Sequence, residues 1–235
     1  MKLVVFGANG PTGRMATAMA MAAGHSVTAI TRRPLAFPFN DVVLQIAAAD
    51  VLDADAVDWV MAGQDAVISA IGAPVGSRDV SLYSRGTYNI VKAMVRHGLR
   101  RVVCVSSAGV AGTGPPDGAP VSLGNVRPLL RRRWRGVHQD MRRMESIVRA
   151  SSLDWTIVRP AVLFDDVTVT DYRVTGDGVP GRYTSRADLA HALLTRAVGS
   201  RDCGRTIHVV TTGRTPGPAV LRPLRRAASK PFPYR

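Results

Sequence analysis

The feature that most constrains this chain is its opening, "MKLVVFGANGPTGRMATAMAMAAGHSVTAITRRP". Lys2 to Phe6 is a short, β-branched apolar run halted by Gly7, which reads as a buried strand ending in a tight turn. Pro11 suits a first helical position, and the alanine- and methionine-rich stretch Arg14 to Ala23 predicts a helix that Gly24 ends. Ser26 to Thr31 is the next strand. Gly7, Gly10 and Gly13 are spaced G-x-x-G-x-x-G, a variant of the dinucleotide fingerprint, and they lie between a strand and a helix. Glycine there permits unusual backbone angles and close approach of a pyrophosphate to a helix N-terminus. Without a ligand, the same spacing would be a tight strand-to-helix turn.

The end of the second strand bears on which dinucleotide is bound. An acid about 20 residues past the glycines accepts a ribose 2′-OH, whereas arginine suits a 2′-phosphate. Here Thr31 is followed by Arg32 and Arg33. Either guanidinium can grip a phosphate through charge-assisted hydrogen bonds, which points to NADP(H). The alternative is a solvated basic turn.

The alternation continues. Val42 to Ala47 reads as a third strand, Ala54 to Met61 as a helix, Asp65 to Ala73 as a fourth strand and residues 79–97 as a helix. Arg101 to Ser106, a helix from Val137 to Ser151, "DWTIVRP" and "TIHVV" complete the pattern. Strands alternating with helices imply an α/β, Rossmann-like, doubly wound parallel sheet in a single domain, about residues 1–210. Two long connections, about 111–136 and 164–184, leave the ligand edge and are candidate substrate loops. Residues 211–235 form a basic, proline- and arginine-rich tail.

With 235 residues and 46% hydrophobic content, the chain can bury a sizeable core. Cys104 and Cys203 show no metal-ligand spacing, and no apolar stretch of membrane-spanning length or signal-peptide layout is evident, so the expectation is a reduced, soluble, cytoplasmic protein without metal or membrane. The net charge of +14 is carried largely by arginine, since only Lys2, Lys92 and Lys230 are lysine. No nucleic-acid-binding motif accompanies the basic clusters, so no specific nucleic-acid partner is expected. The expected partner is a small molecule, and the expected state a monomer or homodimer.

The motifs "GANGPTG", "TRRP", "DAVISAIGA", "VVCVSSAG", "RRMESIVRASSLDWTIVRPAVLFD" and "SRADLAHALL" resemble the atypical short-chain dehydrogenase/reductases with an NmrA-like NAD(P)-binding domain. Within these they look closest to the flavin reductase/biliverdin reductase B type. The resemblance implies that Gly7, Asn9, Gly10, Pro11, Thr12 and Gly13 surround the pyrophosphate and that Arg32 and Arg33 hold the 2′-phosphate. It places Asp50 and Val51 beside adenine, Ala70, Ile71 and Gly72 along the ribose and diphosphate, and Ser106 and Ser107 by the nicotinamide. Pro160 and Ala161 would make backbone contacts on the carboxamide side.

The chain departs from the wider superfamily in having no Tyr-x-x-x-Lys on the helix that follows the fifth strand, Val137 to Ser151. His138 and Arg142, also i and i+4 on a helix, are the nearest local substitute, with Ser107 as the third catalytic candidate. His138 could equally be an exposed residue on a basic helix. Without a tyrosine acid on that helix, the expected reaction is NADPH-dependent hydride transfer to a conjugated aromatic acceptor such as a quinone, flavin or tetrapyrrole, with the proton from His138 or from solvent. Trp134 and the arginines around it could cover such a ring, or Trp134 could be a core anchor. The alternative function is a non-catalytic NADP(H)-sensing regulator of the NmrA type. An isomerase or epimerase has no supporting residue pair.

Overall fold

In a computed structural model, residues 1–73, 80–111, 127–176, 181–214 and 216 are described, with backbone only for 127–133. The chain runs β1 (Lys2–Phe6), α1 (Pro11–Ala22), β2 (Ser26–Thr31), β3 (Leu44–Ala48), α2 (Ala54–Met61) and β4 (Ala66–Ser69). It continues α3 (Leu82–Arg96), β5 (Arg101–Val105), α4 (Arg127–Arg149), β6 (Asp154–Pro160) and β7 (Val162–Phe164). The last elements are β8 (Tyr172–Thr175), β9 (Tyr183–Ser185), α5 (Arg186–Ala197) and β10 (Arg205–Thr211). The main sheet has the order β3-β2-β1-β4-β5-β6-β10-β8, parallel except for β8, which pairs antiparallel with β10. β7 and β9 form a separate parallel pair.

Period-two alternation along β1 builds the three layers. Val4 and Phe6 join Val67, Val102, Cys104 and Ile157 under α2, α3 and α4, through Val57, Met61, Ile90, Met94, Met141, Met144 and Val148. Leu3 and Val5 face the other way, with Ile68, Val103 and Val158, under Leu189 and Leu193 of α5. α1 packs beside α5 through Met15, Ala16, Ala187 and Ala190. Chain reversal at β1, whose neighbours β2 and β4 lie on opposite sides, opens a crevice at the strand C-terminal ends.

Several elements differ from the sequence expectation. β3 starts at Leu44, because Val42 is fully exposed in the preceding turn. β4 ends at Ser69. α4 begins ten residues before Val137, so the last ten residues of the 111–136 connection are helical; arginine, leucine and tryptophan sustain it and Pro128 sits in its first turn. The 164–184 connection carries β8 and β9, which at four and three residues give no usable periodicity. Nearly all of the 211–235 tail, and residues 112–126 of the first connection, lie outside the described residues.

Asp140 of α4 is fully buried and caps α3 from a neighbouring helix. Its carboxylate accepts from the backbone N–H of Tyr83 (2.9 Å) and Ser84 (3.2 Å) and from Ser84 Oγ (2.5 Å). Removing it strands two buried backbone donors and leaves the Ser84 hydroxyl only the longer contact to the Ser81 carbonyl, 3.4 Å. Asp140→Ala is expected to lower stability by about 2–4 kcal/mol, read as a lower denaturation midpoint with an unchanged slope.

Candidate functional site

The turn after β1 is built by two glycines whose missing side chains the backbone itself requires. Gly7 has φ +74°, and a Cβ there would fall 2.4 Å from the Ala70 carbonyl oxygen at the end of β4. A Cβ on Gly13 would fall 2.1 Å from the Gly7 carbonyl oxygen. At Gly10 such an atom would meet a single neighbour within 4 Å, the Gly7 carbonyl oxygen at 3.2 Å. That third glycine borders open space at the N-terminus of α1, where the helix dipole attracts anions. Asn9 is fixed beside it, its Oδ1 accepting from Arg14 Nε (3.0 Å) and Nη2 (2.5 Å), so a further cation stands next to the turn.

From this turn a cleft of about 1180 Å³ runs along the strand ends. At one end it is bordered by Arg32, Arg33, Asp50 and Val51, and in the middle by Gly7, Asn9, Gly10, Pro11, Thr12, Ala70, Ile71 and Gly72. At the other end are Ser106, Ser107, His138, Pro160 and Ala161. Gly13 lies beneath the cleft, packed on the turn. Arg32 is largely exposed and faces Asp50 at 3.9 Å, a pair weakened by solvent. The Arg33 backbone N–H donates to Thr31 Oγ1 at 3.1 Å. Val51 is buried against α3 at Gly86, and its carbonyl accepts from Asn89 Nδ2 at 3.0 Å.

α4 presents Trp134, His138 and Met141 to the cleft, an i, i+4, i+7 stripe. The His138 ring stacks on Trp134 at 6.2 Å between centroids and lies over Gly109, where a Cβ would sit 2.6 Å from its Cε1. Trp134 also packs against the core beneath α4, so it is both wall and anchor. Arg142 is off this stripe. Its Nε donates to the Val110 carbonyl at 3.2 Å, and it does not border the cleft. The Ala161 N–H is directed to Thr184 Oγ1 at 2.9 Å.

The sequence reading missed Glu145, Arg159 and Tyr83. Glu145 continues the α4 stripe and is almost fully buried, yet it is a carboxylate. It accepts from Arg159 Nε (2.9 Å) and Nη2 (2.6 Å), from Arg149 Nη2 (2.8 Å) and from Ser106 Oγ (2.7 Å). Burial works to raise its pKa, but Arg159, Ser106 and Arg149 together hold it below the ordinary value. Arg159 borders the cleft from the end of β6. Tyr83, from the first turn of α3, also borders it, its hydroxyl accepting the Ala73 N–H at 2.9 Å; burial pushes this phenol up. The Cys104 thiol, fully buried, is pushed up to about 12 by burial and is inert. Among the described residues no helix is long and apolar enough to cross a membrane, and no cluster of acids, histidines or cysteines could hold a metal.

A doubly wound sheet with a glycine turn at its switch point and a cleft spanning the strand ends defines a dinucleotide-binding protein of the Rossmann class. The chain belongs to the NAD(P)H-binding family, matched over residues 7–197. An uncharacterized protein of Mycobacterium tuberculosis is 32% identical over 165 residues, 70% of this chain. The chain spans only 15% of that relative's length. A short-chain dehydrogenase/reductase from Veillonella parvula, solved in complex with NADP, superposes with a TM-score of 0.72 at 21% identity, covering 90% of this chain and 95% of that one. An oxidoreductase from Lactococcus lactis gives a TM-score of 0.75 at 14% identity, covering 91% and 92%. At these identities the likeness is one of fold.

The Glu145 cluster makes stability depend on pH. The folded carboxyl holds its proton less tightly than an ordinary carboxyl near 4.5, so the unfolded chain binds more protons just below that value. This stabilisation is present above pH about 4.5 and is lost as pH falls through the lowered folded value. Urea midpoints are expected to decline on that acid limb. In Glu145→Gln the limb should be flatter and the midpoint at neutral pH lower, because Arg159 is left without its counter-ion.

Proposed function

We propose that the protein is an NADPH-dependent reductase acting on a conjugated aromatic acceptor. The observation that carries this reading is the continuous cleft from Arg32 and Arg33, past the glycine turn, to Ser107 and His138 under Trp134. Gly7, Gly10 and the α1 N-terminus would hold a pyrophosphate, and Arg32 and Arg33 a 2′-phosphate, for which Asp50 would compete at Arg32. Bound in this way, a reduced nicotinamide supplies a hydride. The likeness of the motifs to the flavin reductase/biliverdin reductase B type supports an acceptor of that electron-poor kind.

The residues then have limited work. Ser107 orients the acceptor from the end of β5, Trp134 and Met141 exclude water from one face, and His138 supplies the proton that balances hydride addition. With Arg142 directed to the Val110 carbonyl, no cation among the described side chains of this helix borders the cleft in the place of a ribose-binding lysine. That feature favours the second reading, an NADP(H) sensor without turnover.

Two measurements test the proposal. Because Arg32 is mostly exposed, NADPH is expected to bind about tenfold more tightly than NADH, short of the effect of a desolvated pair, and the preference should fade with salt. An Arg32→Ala, Arg33→Ala double variant should bind both alike, and equal affinities in the wild type would remove the NADP(H) assignment. The second measurement follows NADPH absorbance with a panel of quinones and flavins. Wild type should oxidise the cofactor, and His138→Ala should turn over about 10²–10⁴-fold more slowly with cofactor affinity preserved. Tight NADPH binding with no oxidation by any acceptor would favour the sensor.

A further inference from the structure

The two serines at the end of β5 are held with opposite hydrogen-bond polarity. Ser106 Oγ donates to Glu145 Oε1 at 2.7 Å. That carboxylate, gripped by Arg159 and Arg149, is acceptor-only, so the single hydroxyl hydrogen of Ser106 is directed away from the cleft. What Ser106 has left to offer is lone-pair density. Ser107 is the reverse: its Oγ accepts from the Gly109 N–H at 3.2 Å, and its own hydrogen has no acceptor among the described residues. Both serines border the cleft. An acceptor beside a donor is the complement of an amide edge, with its N–H next to its C=O.

We propose that Ser106 and Ser107 read the carboxamide of the nicotinamide ring, Ser106 accepting from its NH₂ and Ser107 donating to its carbonyl, so that Ser107 orients the acceptor through the ring on which it stacks and not by a direct hydrogen bond. Glu145 is the positioning residue that sets the polarity of Ser106. The inference rests on the cleft being a nicotinamide dinucleotide site, and two observations support the carboxamide as occupant. β5 is the second strand from β1, about 10 Å along the sheet edge at ~4.8 Å per strand, which leaves room for a ribose and a pyridine ring beyond the glycine turn. Further along, at the end of β6, Pro160 has no N–H, and that of Ala161 is directed to Thr184 Oγ1 and the Val209 carbonyl. Ser106 is 2% exposed, so its remaining lone pairs meet a ligand in a low-dielectric floor, where hydrogen-bond polarity discriminates most.

The consequence is discrimination between the amide and the acid forms of the cofactor. A carboxylate in place of the carboxamide sets an acceptor against the lone pairs of Ser106. Titration of NADP⁺ and of nicotinic acid adenine dinucleotide phosphate, followed by tryptophan fluorescence or calorimetry, tests this without turnover. Wild type is expected to bind NADP⁺ at least about tenfold more tightly than the acid form. Ser106→Ala should weaken NADP⁺ about five- to tenfold and, by removing the opposed lone pairs, bind the acid form no less tightly than wild type does, collapsing the ratio. Glu145→Gln, whose amide can donate to Ser106, should lower the ratio as well, whereas mere loss of packing would weaken both ligands equally. Should Glu145→Gln fail to fold, Ser106→Ala decides the matter, because it leaves the Glu145–Arg159 pair in place. Equal binding of the two forms by wild type, or an equal loss for both in Ser106→Ala, overturns the carboxamide assignment alone. Failure of NADP⁺ to bind overturns it together with the dinucleotide reading.

Discussion

The contact on which the molecule depends is the one between Gly7 and Gly13, where the first turn of α1 rests on the backbone leaving β1. A Cβ at either position would lie well inside van der Waals contact with main-chain oxygen, Ala70 in one case and Gly7 in the other. Main chain cannot move aside as a flexible side chain can, so the close approach of α1, β1 and β4 exists only without side chains there. The same approach places the α1 N-terminus over the crevice, with its unpaired N–H groups toward the ligand space. These two glycines are therefore requirements of the fold before they are features of a binding site, while Gly10 answers mainly to the space in front of the helix.

α4 is fixed by two buried acids on different sides of it. Asp140 caps α3, and Glu145 reaches the ends of β5 and β6 through Ser106 and Arg159. A buried ion pair is weak support for net stability, since desolvation opposes the Coulombic gain. Its directional hydrogen bonds do fix rotation. With both acids seated, the stripe of Trp134, His138 and Met141 faces the cleft and Arg142 turns to the Val110 carbonyl. The orientation of the candidate acid is thus decided by residues that the cofactor need not touch.

How much of this was legible follows from how far apart the interacting residues lie in sequence. β1, β2 and β6 were readable to the residue, because each is a short apolar run bounded by glycine, proline or charge. The glycine turn and the cations at Arg32 and Arg33 were readable because they are local to one strand–helix–strand unit. α5 was not recognised in the strand–helix alternation: it carries buried alanines and leucines around much of its circumference, so its stripe is poorly marked. The pairing of His138 with Arg142 rested on i, i+4 spacing, which brings residues to one side of a helix but does not say where that side faces. Glu145 and Arg159 lie 14 residues apart, one on a helix and one on a strand, and no periodicity joins them. A glutamate on the apolar stripe of Met141, Met144 and Val148 was the available sign, since such a position is rarely charged unless it is paired.

The two ends of the cleft act by different physics. Arg32 and Arg33 stand in solvent, where an ionic contact is screened within about 10 Å at ordinary salt, and Asp50 competes for Arg32. Charge there attracts and steers an anionic ligand but discriminates modestly between similar ones. At the other end, Ser106, Glu145 and Arg159 are buried or nearly so, and each hydrogen bond has a fixed direction. A mismatched polar group at that end cannot turn to water, so the cost of a wrong partner approaches the full penalty of an unsatisfied buried group. Under the proposed reading, the exposed basic end would steer the dinucleotide into the cleft, and the buried serine end would set chemical selectivity.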